Sequence, residues 1–431
     1  MVVGDGFGRS ARREPPVAAR RRGGRAVKAS LGRCARGVQL VTSRSLGPYQ
    51  TAAVRIGLAG TWLLFLLREF PHRQLLYGPD GPWGWSMARR LIAGNDAFTL
   101  LMWSDGRLWF EAVYALAVLA SALLLVGWRT RTMSVLFMVG VLSLQNRNIF
   151  VGDGGDNVVH LLAIYLVLTR CGQVWSLDAR RAARAGAAGR EPRANRTETE
   201  LWAGGAAALA AVTVLGVAGW GWLLFFWTLL TGQALWWWLG RRAPDGQAYL
   251  LSDVVAHLVH NGALLVIMVE TCLIYATAGW YKIQGSRWQD GTAVYYPLQL
   301  ESFSPWPGIS GMLAGQGLLV LVVTYGTVLT QVAFPFALLN RRAKNVLLAL
   351  MMAEHLAIAV LLGLPFFSLA MIAADAVFLP TVFLLWAGAR CARARAGVVR
   401  RARAVFGRGA DGVPADEEPA GPARKLPVQP S

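Results

Sequence analysis

Charged residues are scarce in this sequence. They make up 16% of its 431 residues, against about 25% in an average soluble domain. With 55% of the chain hydrophobic, that shortage excludes an ordinary water-soluble fold. Cysteine is scarce as well. Cys34, Cys171, Cys272 and Cys391 are scattered, and none has a CxxC or metal-ligand spacing. Three fall at expected cytoplasmic positions and one inside a helix, so no disulfide is expected. The strict apolar/polar alternation of a membrane β-barrel is missing. So are a Ser-His-Asp pattern, a phosphate loop, a dinucleotide fingerprint and a zinc motif. No internal repeat appears, inverted or parallel, and that counts against a transporter. No apolar block precedes Thr51, so no cleavable signal peptide is expected.

Long apolar runs are what the chain does have. They suggest an all-α, polytopic helical membrane protein of about ten transmembrane helices (eight to ten). The spans run roughly over 51–69, 109–127, 131–149, 157–171, 203–219, 221–239, 256–280, 316–339, 345–363 and 366–388. The fifth and sixth form a hairpin over about 201–240, which could also be one long tilted helix with an interfacial piece. Basic tails flank the spanning domain of residues 49–388. Residues 1–48 and 389–431 are rich in Gly, Ala, Pro and Arg without apolar period, and are expected to be disordered.

The net charge of +19 sits mostly in these tails. Arginine runs without interleaved aromatics argue for a topology signal and anionic headgroups rather than nucleic acid. The basic connections are the N-tail, Arg129-Thr-Arg131, loop 170–200, Arg241-Arg242, Arg341-Arg342 with Lys344, and the C-tail. They alternate along the chain. Ten spans with both termini cytoplasmic place all of them inside. The remaining connections hold the acids, including Asp80, Asp96, Asp153, Asp156, Asp290 and Glu301.

Polar residues within or beside apolar runs are costly and so are candidates for function. Asp156, Asn157 and His160 lie near one helical face. For the first two, helix capping is the plainer reading. For His160, an interhelical hydrogen bond and a functional role stand level. Glu270 lies in mid-membrane and must be protonated or paired. His257 and His260 fall at the opposite, cytoplasmic end of that helix. Glu354 and His355 are adjacent and so point to different faces; alone, His355 reads as a hydrogen-bonding core residue before a proton relay.

One stretch is over-decorated: Tyr275-Ala-Thr-Ala-Gly-Trp-Tyr-Lys-Ile-Gln-Gly-Ser-Arg-Trp-Gln-Asp-Gly-Thr-Ala293. The apolar helix is expected to stop at Gly279. Lys282 then snorkels to the outer interface beside Trp280 and Tyr281, or acts as a base under an apolar lid. Lysine is rare in the body of the chain, where arginine dominates. Asp290 by itself is an ordinary turn residue.

Three segments carry a family resemblance: Asn146-Arg-Asn-Ile-Phe-Val-Gly-Asp-Gly-Gly-Asp-Asn157 with Trp175-Ser-Leu-Asp178, the Tyr275–Lys282 stretch with Trp288-Gln-Asp-Gly-Thr-Ala293, and Glu354-His355 through Leu364-Pro-Phe-Phe-Ser368. Together they resemble the horizontally transferred transmembrane (HTTM) domain. That domain is shared by the vitamin K-dependent γ-glutamyl carboxylases and many bacterial membrane proteins. The resemblance implies a multi-pass protein of the cell membrane with an outward-facing site. It implies that Lys282 is a base, that His160 and His355 line its pocket, and that Asn157, Asp156, Glu270, Trp288 and Asp290 contribute to substrate binding. The cofactor it implies is a quinol, such as a menaquinol or a vitamin K-like molecule.

The chain departs from the family in three ways. The carboxylases' large C-terminal lumenal domain is replaced by a short basic tail. Glu270 stands where the family has glutamine. Residues 201–240 look inserted. The leading expectation is therefore an enzyme acting on a quinol or small lipophilic substrate, not a carboxylase of protein glutamates. The alternative is a non-catalytic membrane protein in the export, maturation or immunity of a secreted peptide.

Overall fold

The computed structural model describes residue 32 and residues 35–95, 97–188 and 196–407. All regular structure among them is helical. Seventeen helices matter here. They are α1 (Pro48–Glu69), α2 (Arg73–Tyr77), α3 (Trp85–Ala93), α4 (Arg107–Val126), α5 (Thr130–Arg147), α6 (Gly154–Leu168), α7 (Leu177–Ala187), α8 (Arg196–Leu215), α9 (Trp220–Arg242), α10 (Gln247–Gln284), α11 (Ser286–Gln289), α12 (Tyr295–Gln299), α13 (Pro307–Ala314), α14 (Gly317–Ala337), α15 (Arg341–Leu361), α16 (Pro365–Asp375) and α17 (Thr381–Gly407).

Five helical stretches among the described residues are long and apolar enough to cross a membrane: Pro48–Tyr77, Arg107–Val126, Gln247–Gln284, Gly317–Ala337 and Arg341–Leu361. Gly154–Leu168, Thr199–Leu215 and Pro365–Phe378 are apolar but shorter. The 201–240 block is two helices, the hairpin and not one long helix, broken at Gly216, whose φ of 62° is left-handed. Two boundaries elsewhere differ from expectation. The expected last span, 366–388, is interrupted: α16 ends at Asp375, a 3₁₀ turn covers Ala376–Phe378, and Pro380 precedes α17. Proline has no N–H to continue the ladder and disfavours helix before it. Residues 35–43 are helical where a solvated tail was expected. Cys34 and Asp96 lie outside the described residues, as do most of both tails.

The chain divides into two units, Met1–Leu379 and Pro380–Ser431. The second contains α17, whose Leu384 N–H bonds the Pro380 carbonyl. In the first, α1 packs on α4, α6 and α16, and α4 pairs with α5. Then α10, α14, α15 and α16 form a closed series in which each packs on the next and α16 returns to α10. Lipid is as apolar as leucine, so close approach of backbones must supply much of this packing. Glycine supplies it at α1, where a Cβ on Gly57 would meet the Ala373 side chain at 2.5 Å. A Cβ on Gly140 of α5 would meet Ala117 of α4 at 2.8 Å.

Buried polar groups fix the two ends of this unit. At one end Arg55, fully buried, donates to the carbonyls of Leu124, Leu125, Cys171 and Trp175. It thereby reaches the Leu125 carbonyl in the last turn of α4 and adds a second bond to the Leu124 carbonyl, which also accepts from the Gly127 N–H. Asp178 accepts from the backbone N–H groups of Arg129 (2.9 Å) and Thr130 (2.8 Å). At the other end Asn146, Arg147 and Asn148 each donate to a different backbone carbonyl: Phe98 at 2.9 Å, Gly78 at 2.7 Å and Leu76, in α2, at 2.7 Å. Both parts of the first resemblance segment, Asn146–Asn148 and Trp175–Asp178, are therefore braces.

Candidate functional site

The helix α10 does not stop at Gly279 but continues to Gln284. Gly279 is a packing position instead, since a Cβ there would lie 2.7 Å from Val332 Cγ2 on α14. That close approach brings Lys282, about one turn further along α10, to Gln331, the residue before Val332. Lys282 Nζ donates to Gln331 Oε1 at 2.9 Å. Lysine is a donor only, so the amide must turn its oxygen to Lys282 and its nitrogen away. Gln331 Nε2 accordingly donates to Glu354 Oε1 on α15, at 3.0 Å. Lys282 Nζ lies 5.2 Å from the centre of the Trp288 ring, and both side chains are half-buried.

A second line of bonds runs beside the first. Tyr275 lies two turns before Lys282 on α10. Its hydroxyl is 3.0 Å from His355 Nε2 and 3.0 Å from Asp375 Oδ2. The single phenolic hydrogen goes to Asp375, so His355 donates from Nε2 and leaves Nδ1 as an acceptor. Tyr275, His355 and Asp375 are all buried, with Asp375 at 0% exposure. Phe334 and Phe367 pack edge-on against Tyr275 and His355. Three polar atoms here have no hydrogen-bond partner among the described residues: His355 Nδ1, Asp375 Oδ1 and Ser368 Oγ. Buried atoms of this kind are rare and costly.

Of the expected site residues, Lys282, Trp288 and His355 are thus brought to the α10–α14–α15–α16 series. The others take other positions. His160 Nδ1 lies 2.9 Å from Gln145 Oε1, and Gln145 Nε2 donates to the Asp156 carbonyl at 2.8 Å. This is the interhelical hydrogen bond, and no bond joins His160 to Lys282 or His355 among the described residues. Asp156 belongs to a capping box. Asp153 is the N-cap, its side chain accepting from Gly155 and Asp156, while Asp156 Oδ2 accepts from the Asp153 N–H at 2.9 Å. The cap is therefore three residues earlier than expected. Asn157 is exposed, and its side chain bonds nothing among the described residues.

Glu270 is half-buried and likewise without partner there. It stands twelve residues before Lys282, about 18 Å along the helix. Asp290 accepts from the N–H and hydroxyl of Thr292 and lies near Arg287. The Thr292 hydroxyl, with its backbone N–H and the Arg287 charge, holds this exposed carboxyl below the ordinary aspartate range. His260 is satisfied on both ring nitrogens, by the Arg170 N–H and the Leu46 carbonyl, each at 2.8 Å. It precedes Lys282 by 22 residues, about 33 Å, roughly one hydrocarbon thickness.

Sequence reasoning missed Gln331, Tyr275 and Asp375 as site residues. Thr324, Thr327 and Gln331 recur at helical spacing through an apolar run, and all are buried, so that stripe was a usable signal. Asp375 is an acid within an apolar block. The free thiols among the described residues are Cys171, Cys272 and Cys391. No group of three or more His, Cys, Asp or Glu side chains suited to a metal occurs among the described residues. No protein-family model, no curated protein and no solved structure matches the chain.

Proposed function

We propose that this chain is an HTTM-like integral protein of the cell membrane, and that it is an enzyme acting on a lipophilic quinol or similar small substrate. Ten spans with both termini inside would put α11, the Asp290 turn and Lys282 on the outer side. The observation that carries the proposal is the pairing of Lys282 with a neutral amide. A general base needs a lone pair, and a carboxylate in direct contact would hold the amine as an ammonium. Gln331 keeps Glu354 one amide away from Lys282.

In the proposed step, the neutral Lys282 amine takes the proton of a quinol hydroxyl. The O–H bonding pair stays on oxygen, giving the quinolate, and the new N–H bond makes the amine an ammonium. That charge then meets the Gln331 oxygen and the face of Trp288, both of which favour a cation. Tyr275, His355 and Asp375 hold α10, α15 and α16 in register beneath the lysine.

Lys282→Ala tests this reading. Purified protein should consume oxygen in the presence of a menaquinol, and the variant should lose that activity with its thermal unfolding unchanged. Equal turnover in the variant removes the base. No turnover in either protein, together with recovery of a crosslinked peptide, favours a role in handling a secreted peptide.

A further inference from the structure

The α8–α9 hairpin takes no part in the proposed chemistry, yet it encloses a cleft. Two indole bonds join the helices. Trp227 Nε1 donates to Thr213 Oγ1 at 3.1 Å, and Trp202 Nε1 donates to the Leu230 carbonyl at 3.4 Å. Beside the second of these is a space of about 460 Å³, lined by Trp202, Thr231, Gln233, Leu235, Trp237 and Trp238 among others. That volume falls within the roughly 300–1,000 Å³ of small-molecule sites. The lining is largely apolar carbon and indole, and no residue of α9 is fully buried.

Two arginines stack on tryptophans that line the cleft. The Arg241 guanidinium lies 3.9 Å from the Trp237 ring centre, and that of Arg242 lies 5.6 Å from the Trp238 ring centre. Both tryptophans line the cleft. Neither arginine has a carboxylate partner among the described residues. Stacking on indole leaves guanidinium N–H groups free, and their fork matches two oxygens of a phosphate. Consecutive tryptophans are typical of the headgroup level of a bilayer. A free diffusing phosphate would use the arginines but not the apolar cleft. A neutral lipid would use the cleft but leave two cations unpaired. A molecule with an anionic phosphate and a hydrocarbon chain uses both.

We propose that the α8–α9 cleft binds one anionic phospholipid, with its phosphate on Arg241 and Arg242 and an acyl chain along Trp202, Leu235 and Trp238. The inference needs the membrane setting but not the Lys282 chemistry. The test uses the full-length protein in detergent micelles doped with dioleoyl phosphatidylglycerol, dioleoyl phosphatidylcholine or soluble glycerol phosphate. The reading is the shift in the midpoint of thermal unfolding, together with lipid adducts in native mass spectrometry.

Phosphatidylglycerol should raise the midpoint by several degrees and give a single retained adduct, and the other two should do neither. The Arg241→Gln/Arg242→Gln variant should lose at least nine-tenths of adduct occupancy. Ala234→Trp, which fills the cleft and leaves the arginines in place, should lose it too. Equal retention of phosphatidylcholine, an equal effect of glycerol phosphate, or retention unchanged in either variant overturns the proposal. If either variant fails to fold, competition decides: excess phosphatidylglycerol, but not phosphatidylcholine, should displace a brominated phosphatidylglycerol that quenches tryptophan fluorescence. Displacement by both lipids overturns the proposal.

Discussion

Lys282 Nζ lies 2.9 Å from Gln331 Oε1, and no carboxylate pairs directly with this lysine among the described residues. Gln331→Glu changes one nitrogen to an oxygen and turns that hydrogen bond into a buried ion pair. An ion pair stabilises the ammonium, so the variant should lose turnover as a base even though its lysine is intact. The change also replaces the Gln331 Nε2 donor to Glu354 with a second carboxyl, so one of the two acids must hold a proton between them. We expect quinol-dependent oxygen consumption to fall at least tenfold, which corresponds to about 1.4 kcal/mol of barrier, and the thermal unfolding midpoint separates loss of the base from loss of the fold. Unchanged turnover would show that Lys282 is only an interfacial anchor.

The approach of α10 to α14 offers a control that touches no polar group. A Cβ on Gly279 would lie 2.7 Å from Val332 Cγ2, so Gly279→Ala must push the helices apart or rotate Val332. Overpacking of this kind typically costs about 1–3 kcal/mol. Val332→Ala removes the methyl group that clashes. The double variant should therefore unfold at a higher temperature than Gly279→Ala alone. It should also recover any activity lost when Lys282 and Gln331 are separated. Simple additivity of the two losses would mean that the clash is relieved elsewhere.

How far the sequence could be read depended on what a residue type can do in more than one way. Apolar block length was sufficient to recognise a helical membrane protein. Lys282 stood out because lysine is rare and sits at the end of an apolar run. Gly279 was misread because glycine both ends helices and lets them approach, and only the partner at Val332 decides between these roles. His160 was undecidable without Gln145, fifteen residues earlier on another helix. Asp375 and Gln331 each look like isolated polar residues in a tolerant apolar background. Their meaning appears when α10, α14, α15 and α16 bring Tyr275, Lys282 and Glu354 against them. The break at Pro380 was missed by a span drawn over 366–388, although proline's lack of an N–H was reason enough to place it.

The Asn146-Arg-Asn148 brace predicts a local effect on dynamics. Asn148 Nδ2 holds the Leu76 carbonyl at 2.7 Å, and Asn146 Nδ2 holds the Phe98 carbonyl at 2.9 Å. A hydrogen bond of this kind contributes about 0.5–1.5 kcal/mol. Asn148→Ala should therefore raise amide hydrogen exchange severalfold around residues 74–78, with little change around residue 98. Asn146→Ala should do the reverse. A uniform rise in both segments would mean that the brace acts as one unit.

Orientation has its own test. The turns at Asp153 and Asp290 are both exposed, and the proposed ten-span arrangement puts both outside. Asp153→Cys and Asp290→Cys should react with an impermeant maleimide added to intact cells. Arg180→Cys, in the basic connection that follows α6, should react only after lysis. Labelling of Asp153→Cys and Asp290→Cys from opposite sides would require an odd number of crossings between them and would overturn the count.

Tyr275 ties two buried groups through one oxygen, which makes its contribution measurable. Removing that oxygen in Tyr275→Phe leaves Asp375 Oδ2 and His355 Nε2 without the bonds they now make at 3.0 Å. Asp375 Oδ1 and His355 Nδ1 already have no partner among the described residues, so neither side chain has another bond to fall back on. Each orphaned buried group costs about 1–3 kcal/mol, and Tyr275→Phe, which orphans both, should lower stability by about 2–6 kcal/mol. Asp375→Leu removes the acid and its need for a partner. If the hydroxyl serves mainly to satisfy Asp375, the double variant should be destabilised by less than the sum of the two single changes, with a coupling of about 0.5–3 kcal/mol. Reversible unfolding of all four proteins measures that coupling. Strict additivity would place the worth of the hydroxyl in its bond to His355 instead.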